Sequence, residues 1–259
     1  MASVVVPGIW RLEGTRGSNV YLVEAADGQL VLIDTGFAPS LDAIEAELAA
    51  TVPGRHLSMV LLTHSHPDHS GAAEGLREHL GVPVVIGSGD AKQDSEGWRV
   101  SMTSKRGPMS WLMRRMMRRR MPPLPRIDRV LDGEFEVVPG LLAIPTPGHT
   151  PGSYCFLDTA RDVAFVGDLV ISHNDGLARS LKFINSDDRQ YLETMRIFGE
   201  RAPSIGCCGH GEPVLANFGE QLRTLAALPR RSGTSPAVLL WRVRRLLRFA
   251  RGLRNEQRG

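Results

Sequence analysis

Four side chains of metal-binding type stand close together in this chain, directly after a mostly apolar segment. Residues 57–62 read as a buried strand, and His64, His66, Asp68 and His69 lie within the next seven positions. Imidazole nitrogen and carboxylate oxygen are the ligands that zinc and similar ions prefer in compact sites. Neither a core nor a solvated loop needs three imidazoles and a carboxylate in so short a segment. The fold must therefore bring the end of a buried strand to a metal site.

The spacing within this segment predicts two neighbouring sites. In a tight loop, alternate residues point to opposite sides. We therefore expect His64 and His66 to face one ion, and Asp68 and His69 to face another.

Three later segments place further ligand types at the ends of predicted strands. Residues 147–152 (PGHTPG) put His149 in a rigid turn, and residues 165–168 end an apolar strand on Asp168. His210 stands between two glycines. Each of them alone would be read as structural, but their joint occurrence in this order predicts one composite site.

The remaining pattern alternates short strands with amphipathic segments. Strands are predicted at residues 4–6, 9–12, 20–23, 30–33, 83–86, 135–138, 141–144, 154–157, 163–166 and 204–208. Helices are predicted at residues 39–50, 71–80 and 187–199. Clusters of strands that alternate with helices predict an α/β fold of two sheets with helices outside, a four-layer αβ/βα sandwich.

Length and composition limit the class of protein. The 259 residues, 42% of them hydrophobic, suit one large domain or two small ones. No apolar run reaches the roughly 18 residues that span a bilayer, and the first residues do not resemble a signal peptide. Cys207 and Cys208 are adjacent, and only one other cysteine is present. We therefore expect no disulfide framework and a cytoplasmic location.

The net charge of +3 hides two basic segments. Nine Lys or Arg and no acid lie between Glu96 and Asp128, and nine Arg and no acid lie between Glu220 and Glu256, which leaves 13 basic residues against 28 acidic ones elsewhere. An acidic body of this kind suits cations. We expect a main domain over residues 1–228, with an insertion at about 90–126, and a basic amphipathic C-terminal helix over 229–259.

The motifs resemble those of the metallo-β-lactamase superfamily, in its glyoxalase II and lactonase-like branch. That family carries H-x-H-x-D-H, a later histidine in a P-G-H-T turn, a G-D and a last G-H, and the resemblance covers about residues 4–215. It implies that one metal is held by His64, His66 and His149 and the other by Asp68, His69 and His210, with Asp168 bridging both and Asp34 supporting the ligands. It also implies two divalent ions, most often zinc, with iron or manganese as alternatives.

The resemblance implies hydrolysis of an ester, thioester or lactone by a hydroxide that bridges the two metals. Two ions at about 3.5–4 Å bring the pKa of bound water towards about 7. Asp68 is then expected to orient this nucleophile and to pass a proton to the leaving group. The alternatives are a phosphodiesterase or nuclease of the same fold and a mononuclear iron dioxygenase.

Some departures from the family's branches narrow the assignment. True β-lactamases of this fold typically lack the bridging aspartate, so Asp168 argues against antibiotic hydrolysis. Lactonases that open acyl-homoserine lactones usually carry a tyrosine shortly after it, whereas Leu169, Val170 and Ile171 follow here. In glyoxalase II enzymes a threonine precedes the H-x-H-x-D-H motif, as Thr63 does here, and the C-terminal part is basic. Their glutathione-binding residues find no clear match in this chain. His173, five residues after Asp168 and expected in a loop that borders the pocket, is a candidate for substrate contact.

The insertion contains an amphipathic segment at residues 111–121. Met113, Met116 and Met117 share one helical face, and arginines share the other. We expect either a lid over the metals, with the methionines contacting substrate, or a surface helix; an arm that binds RNA or phosphate is the less favoured alternative. The tail at residues 238–253 is predicted to pack on the body or on a second subunit, with contact to a membrane surface as the alternative. A small molecule is the expected substrate.

Overall fold

The computed structural model describes residues 1–95, 97–100, 125–173, 176–182 and 184–229. Two large sheets form the centre of this part of the chain. The first contains, in spatial order, β1 (Ser3–Val6), β2 (Ile9–Leu12), β3 (Val20–Glu24), β4 (Leu30–Ile33), β5 (Leu57–Leu61), β6 (Val84–Gly87) and β10 (Arg129–Leu131). The second contains β11 (Phe135–Val138), β12 (Leu141–Pro145), β13 (Tyr154–Asp158), β14 (Val163–Gly167) and β17 (Ile205–Cys208).

Two smaller sheets accompany them. One contains β7 (Ala91–Asp94), β8 (Gly97–Val100) and β9 (Arg126–Ile127), and the other contains β15 (Ile171–His173) and β16 (Gly176–Ala178). The described helices are α1 (Leu41–Thr51), α2 (Pro67–Ser70), α3 (Ala73–Leu80), α4 (Asp188–Gly199) and α5 (Phe218–Ala227). None of them is long and apolar enough to cross a membrane.

Local sequence signals explain where the longer helices begin and end. The Asp187 carboxylate accepts hydrogen bonds from the backbone N–H groups of Arg189 and Gln190, which caps the start of α4. Helix α3 ends at Gly81, whose φ of 66° is the left-handed conformation that glycine adopts at low cost.

Three apolar layers separate the sheets and helices. Residues from both sheets, such as Ile33, Phe156 and Phe165, form the layer between them. The outer face of the first sheet packs on α1 and α3, and the outer face of the second packs on α4 and α5, through Ile44 and Tyr191 among others. The predicted four-layer sandwich is confirmed.

Parallel neighbours within each sheet determine where the polar loops meet. Strands β4, β5 and β6 are parallel, as are β14 and β17, so their carboxyl ends lie at one edge of each sheet. The two edges are joined by backbone hydrogen bonds from Tyr154 N to Thr63 O at 2.8 Å and from Asn19 N to Gly209 O at 2.7 Å. The predicted ligands all follow strands at this seam or lie in the loop between β12 and β13.

The predicted elements from residue 3 to 90 and from 135 to 208 are present within about two residues at each end. The sequence analysis missed the short strands β7 to β10, β15 and β16 and the helices α2 and α5. Strands β7 to β10 contain polar or basic residues, and β16 is only three residues long. His173 was expected in a loop but ends strand β15. The proposed division at residue 228 stays a prediction.

The layer between the sheets generates a test of the fold. Phe156→Ala should lower the free energy of unfolding by about 3–5 kcal/mol, because a completely buried ring is replaced by a cavity. Ile197→Ala is the control, since this side chain is 56% exposed on α4 and should change stability by about 0.5 kcal/mol or less. Denaturant unfolding of the two variants measures both values, and equal effects would contradict the assigned core.

Candidate metal centre

Three histidines converge at the seam between the two sheets. His66 Nδ1 lies 3.0 Å from His64 Nε2 and 3.0 Å from His149 Nε2. His64 and His66 come from the loop after β5, and His149 comes from the loop between β12 and β13. The structure thus brings together three residues that the sequence separates by up to 85 positions.

A second group lies beside the first. His69 Nε2 is 3.3 Å from His210 Nε2, and His210 Nε2 is 3.3 Å from Asp68 Oδ2. Asp68 and His69 belong to the short helix α2, whereas His210 follows β17. The three ligand atoms lie within 4.8 Å of one another.

Asp168 stands between the two groups and turns one carboxylate oxygen to each. Its Oδ2 atom is 3.5 Å from His149 Nε2 in the first group. Its Oδ1 atom is 3.4 Å from His210 Nε2 and 3.6 Å from His69 Nε2 in the second. This is the arrangement expected of a carboxylate that two cations share.

The donor set fits divalent metal ions. Four ligands at about 2.0–2.1 Å from a tetrahedral ion lie about 3.3 Å from one another. The separations in both groups fall close to that value, and the donors are the nitrogen and oxygen atoms that zinc and related ions bind. The first group could hold one ion and the second another, with Asp168 contributing to each.

Hydrogen bonds at the outer nitrogens fix two imidazoles in the tautomer that presents Nε2 to the site. Thr63 Oγ1 donates to Asp34, so it accepts at 3.1 Å from His64 Nδ1. Asp34 Oδ2 lies 2.7 Å from His69 Nδ1. Partners of this kind orient metal-binding histidines and raise their basicity.

Asp34 is placed for this role by its backbone. Its φ of 60° is in the left-handed region, at the point where the chain leaves β4. Its Oδ1 atom accepts from the Thr63 backbone N–H at 2.8 Å. The aspartate thus ties the end of β4 to the loop after β5, as its expected supporting position requires.

Burial keeps part of the first group in the neutral state that metal binding needs. It lowers the pKa of His64 well below its ordinary value, and the neighbouring imidazoles lower it further. Burial and the charge of His149 lower the pKa of His66 to about 3. Both imidazoles are therefore neutral near neutral pH.

The second group has the opposite balance. Burial alone would lower the pKa of His69, but the carboxylates of Asp34, Asp168 and Asp68 outweigh it and raise that pKa to about 10. Burial opposes ionisation of Asp68, yet the hydrogen bond with His210 and the charge of His69 hold its pKa below the usual range. Without a metal, the second group therefore carries a proton on His69.

Two asparagines near the site were missed by the sequence analysis. Asn185 is completely buried, and its Oδ1 atom lies 2.9 Å from His149 Nδ1 while its amide donates to Asp188 at 2.7 Å. The bond to Asp188 fixes the amide orientation, so His149 donates from Nδ1 and presents Nε2. Asn19 Nδ2 donates to the carbonyl oxygen of Gly211 at 2.6 Å, which holds the loop that carries His210.

Glycine is required where the loop of His149 passes α4. Gly148 has a φ of 129°, and a Cβ atom there would lie 2.2 Å from the backbone nitrogen of Tyr191. Contact at that distance would displace either the loop or the helix. The glycine before the histidine therefore has a steric function in the site.

Of the four candidates for substrate contact, the structure describes one. Partly buried His173 lies on β15, next to Ser172, whose backbone N–H donates to the carbonyl oxygen of His210 at 3.0 Å. Its predicted role in substrate contact stays a prediction. Met113, Met116 and Met117 lie outside the described residues, as does the predicted tail helix, and their assignments also stay predictions.

Comparison with known proteins settles the family. The model of the metallo-beta-lactamase superfamily matches residues 14–210, a span that contains all seven candidate ligands. The chain belongs to this superfamily. The resemblance inferred from the motifs is confirmed.

Individual members of the superfamily are similar at modest identity. A hydroxyacylglutathione hydrolase of Xanthomonas axonopodis pv. citri is 28% identical over 222 residues, which cover 85% of this chain and 71% of that protein. The thioesterase pkgB of Emericella nidulans is 28% identical over 211 residues, 81% of this chain but only 49% of the relative's length.

Two solved structures share the fold. TTHA1623, solved in a di-iron-bound form, aligns with a TM-score of 0.59 at 26% identity, covering 80% of this chain and 93% of its own. The metallo-beta-lactamase FIM-1 of Pseudomonas aeruginosa, solved in a mono-zinc form, aligns with a TM-score of 0.61 at 18% identity. The alignment covers 87% of this chain and 94% of FIM-1. Relatives of this superfamily fold thus hold iron or zinc.

The contrasting pKa values of two neighbouring histidines can be measured in the metal-free protein. We expect the His69 ring to stay doubly protonated until the pH approaches about 10, whereas His66 stays neutral until the pH falls to about 3. Ring ¹⁵N shifts in a pH titration distinguish these states. Titration of the two rings over the same pH range would contradict the assigned electrostatics.

Proposed function

We propose that this protein is a dinuclear metal-dependent hydrolase that cleaves carboxylic esters, thioesters or lactones. The observation that supports two ions is the division of the Asp168 carboxylate, with Oδ2 facing one group of nitrogens and Oδ1 facing the other. The first ion is assigned to His64, His66 and His149, the second to Asp68, His69 and His210, and Asp168 is assigned to both.

Two divalent ions at these positions would lower the pKa of a bound water molecule and polarise the oxygen of a scissile carbonyl. The chain itself holds the donors rigidly, because each imidazole except His66 is fixed at its outer nitrogen or by its loop. Rigid donors need no reorganisation during the reaction, which is the source of most electrostatic catalysis. Zinc is the favoured metal for this donor set, with iron or manganese as alternatives.

Asp68 is assigned the proton transfer. Its carboxylate is ionised near neutral pH, since His210 and His69 hold its pKa below the usual range. With Oδ2 directed to His210, the other oxygen is assigned to accept a proton from the attacking water and to deliver it to the leaving group. No serine or cysteine nucleophile is required, and burial raises the pKa of the Cys208 thiol beside this site.

Acyl substrates are favoured by the similarity to a thioesterase and to a hydroxyacylglutathione hydrolase. The presence of Asp168 argues against a β-lactam substrate. The two complete donor groups argue against a mononuclear iron dioxygenase, which needs one ion only. We assign a small molecule as the physiological substrate. Cleavage of RNA or DNA in place of acyl substrates would instead indicate that nucleic acid is the substrate.

The metal content tests the dinuclear assignment. The purified chain should hold about two ions, and Asp168→Ala should retain about one, because each group keeps three ligands but an ion in the second must also displace the proton on His69. Metal analysis after dialysis measures both values, with Asp42→Ala, an exposed aspartate of α1, as the control. A wild-type content of about one that Asp168→Ala leaves unchanged would refute the two-ion proposal.

The hydrolytic reaction itself is tested with a panel of thioesters, carboxylic esters and lactones. The metal-loaded chain should cleave at least one of these classes, and Asp68→Asn should lower kcat by roughly 100-fold or more, within the range of general acid–base catalysis. The Asp42→Asn control removes an equal charge far from the reacting groups and should leave kcat unchanged.

Two results would contradict parts of the proposal. Normal turnover of Asp68→Asn with a full metal content would remove Asp68 from the proton path. Cleavage of RNA or DNA with steep salt dependence, without any acyl hydrolysis, would replace the substrate class with phosphodiesters.

A further inference from the structure

A buried carboxylate lies outside both donor groups, in the tight turn between β6 and β7. Asp90 is completely buried, and both of its oxygens accept hydrogen bonds. Oδ2 accepts from the Ser65 backbone N–H at 2.8 Å and from Thr150 Oγ1 at 2.6 Å. Oδ1 accepts from the Gly152 backbone N–H at 2.9 Å.

The partners of Asp90 stand directly beside the first donor group. Ser65 lies between His64 and His66, and Thr150 follows His149. A single oxygen of Asp90 therefore contacts both ligand-bearing loops at once. These loops otherwise come from different sheets, because one follows β5 and the other joins β12 to β13.

Close packing leaves the Asp90 carboxylate little freedom. A Cβ atom on Gly152 would lie 2.3 Å from the Asp90 backbone nitrogen and 2.8 Å from its Cγ atom. A Cβ atom on Gly89 would lie 2.5 Å from the carbonyl oxygen of Pro151. The turn and the loop of His149 thus touch backbone to backbone, and any movement of Asp90 displaces that loop.

The hydrogen bonds are needed to keep a carboxylate at this place. Burial raises the pKa of Asp90, while the donors from Thr150, Gly152 and Ser65 lower it. An apolar side chain would avoid the cost of burial but would leave two backbone N–H groups and a hydroxyl without this acceptor, which destabilises a buried site. The carboxylate is therefore the group that satisfies both loops together.

We propose that Asp90 is a positioning residue that sets the separation of His66 from His149 and thereby the affinity of the first ion. The inference rests on the proposed metal binding but concerns a residue that touches neither an ion nor a substrate. It requires the affinity of the first ion to depend on Asp90, whereas the affinity of the second ion, held by residues of α2 and by His210 after β17, does not.

The test is the Zn²⁺ affinity of Asp90→Asn. An amide offers one acceptor oxygen, and its NH₂ group would face an N–H or hydroxyl donor, so the two loops separate. Affinity for the first ion should fall by about 10–100-fold, the usual effect of losing a partner behind the ligands, with no change at the second ion. Competition with a chelator resolves the two binding steps. His66→Ala and His210→Ala identify which step belongs to which site.

A matched control separates positioning from simple loss of stability. Asp158 is also a buried aspartate, whose Oδ1 atom accepts from the backbone N–H groups of Ala160 at 3.1 Å and Arg161 at 2.9 Å, but it lies at the far end of β13. Asp158→Asn should destabilise the metal-free chain and leave both Zn²⁺ affinities unchanged.

A second pair of variants keeps the test decisive if Asp90→Asn does not fold. Thr150→Val removes the hydroxyl that donates to Asp90 and should weaken the first ion, whereas Thr150→Ser keeps the hydroxyl and should restore wild-type affinity. The double variant Thr150→Val/Asp90→Asn should lose less binding free energy than the two single variants lose together, because both changes remove the same contact.

The outcomes distinguish the inference from the proposed function. A wild-type chain that binds no divalent ion overturns the proposed function, and the positioning role with it. A wild-type chain that binds two ions, with the first affinity unchanged in Asp90→Asn or in Thr150→Val, overturns the positioning role alone. Equal weakening of both ions would also overturn it, because the effect would then be general loosening of the fold.

Discussion

The structure is organised around ring nitrogens and carboxylate oxygens that face one another away from water. Two acceptors at about 3 Å cannot satisfy each other, and a buried polar atom without a partner costs about 1–3 kcal/mol. His66 Nδ1 faces the Nε2 atoms of His64 and His149, whose protons are on their outer nitrogens, so a single proton on Nδ1 can satisfy only one of these two acceptors. A cation placed between them would accept all three lone pairs at once, so binding of an ion and stability of the seam are coupled.

The two groups differ in protonation state when no cation is bound, for an electrostatic reason. Around the first group the cost of burying a charge dominates and lowers the pKa, so His64 and His66 stay neutral and able to coordinate an ion. Around the second group three carboxylates surround His69, and a proton takes the place that an ion would fill. An ion entering the second group must therefore displace that proton, and its affinity should rise with pH over a range where the first group no longer responds.

The seven candidate ligands could be named from the sequence because each stands in a short pattern with its own chemical reason. His64, His66, Asp68 and His69 follow a buried strand, and the others stand beside glycines at strand ends. Strands β11 to β14 were predicted nearly to the residue, since their apolar patterns are continuous and bounded by turns. Local patterns of this kind contain both the side chain and its structural context.

The residues that orient the ligands could not be predicted in this way. Asn185 lies 36 positions from His149, and Asp90 lies 25 positions from Ser65 and 60 from Thr150. Such contacts depend on how two sheets meet, which no local period encodes. An isolated asparagine or aspartate in a loop is also common on protein surfaces, so neither residue type nor spacing marked these positions.

The position of Asp90 also connects the site with the insertion that contains the Met- and Arg-rich segment. Strand β7 begins at the next residue, and β7 pairs with β8, which pairs with β9. The chain leaves β8 and returns through β9, so the Met- and Arg-rich segment is attached at both ends to the small sheet that starts at Asp90. The carboxylate of Asp90 is bonded to both loops that bear the first group. The small sheet is therefore connected to the first group of histidines through the Asp90 turn, in addition to its packing beside β6.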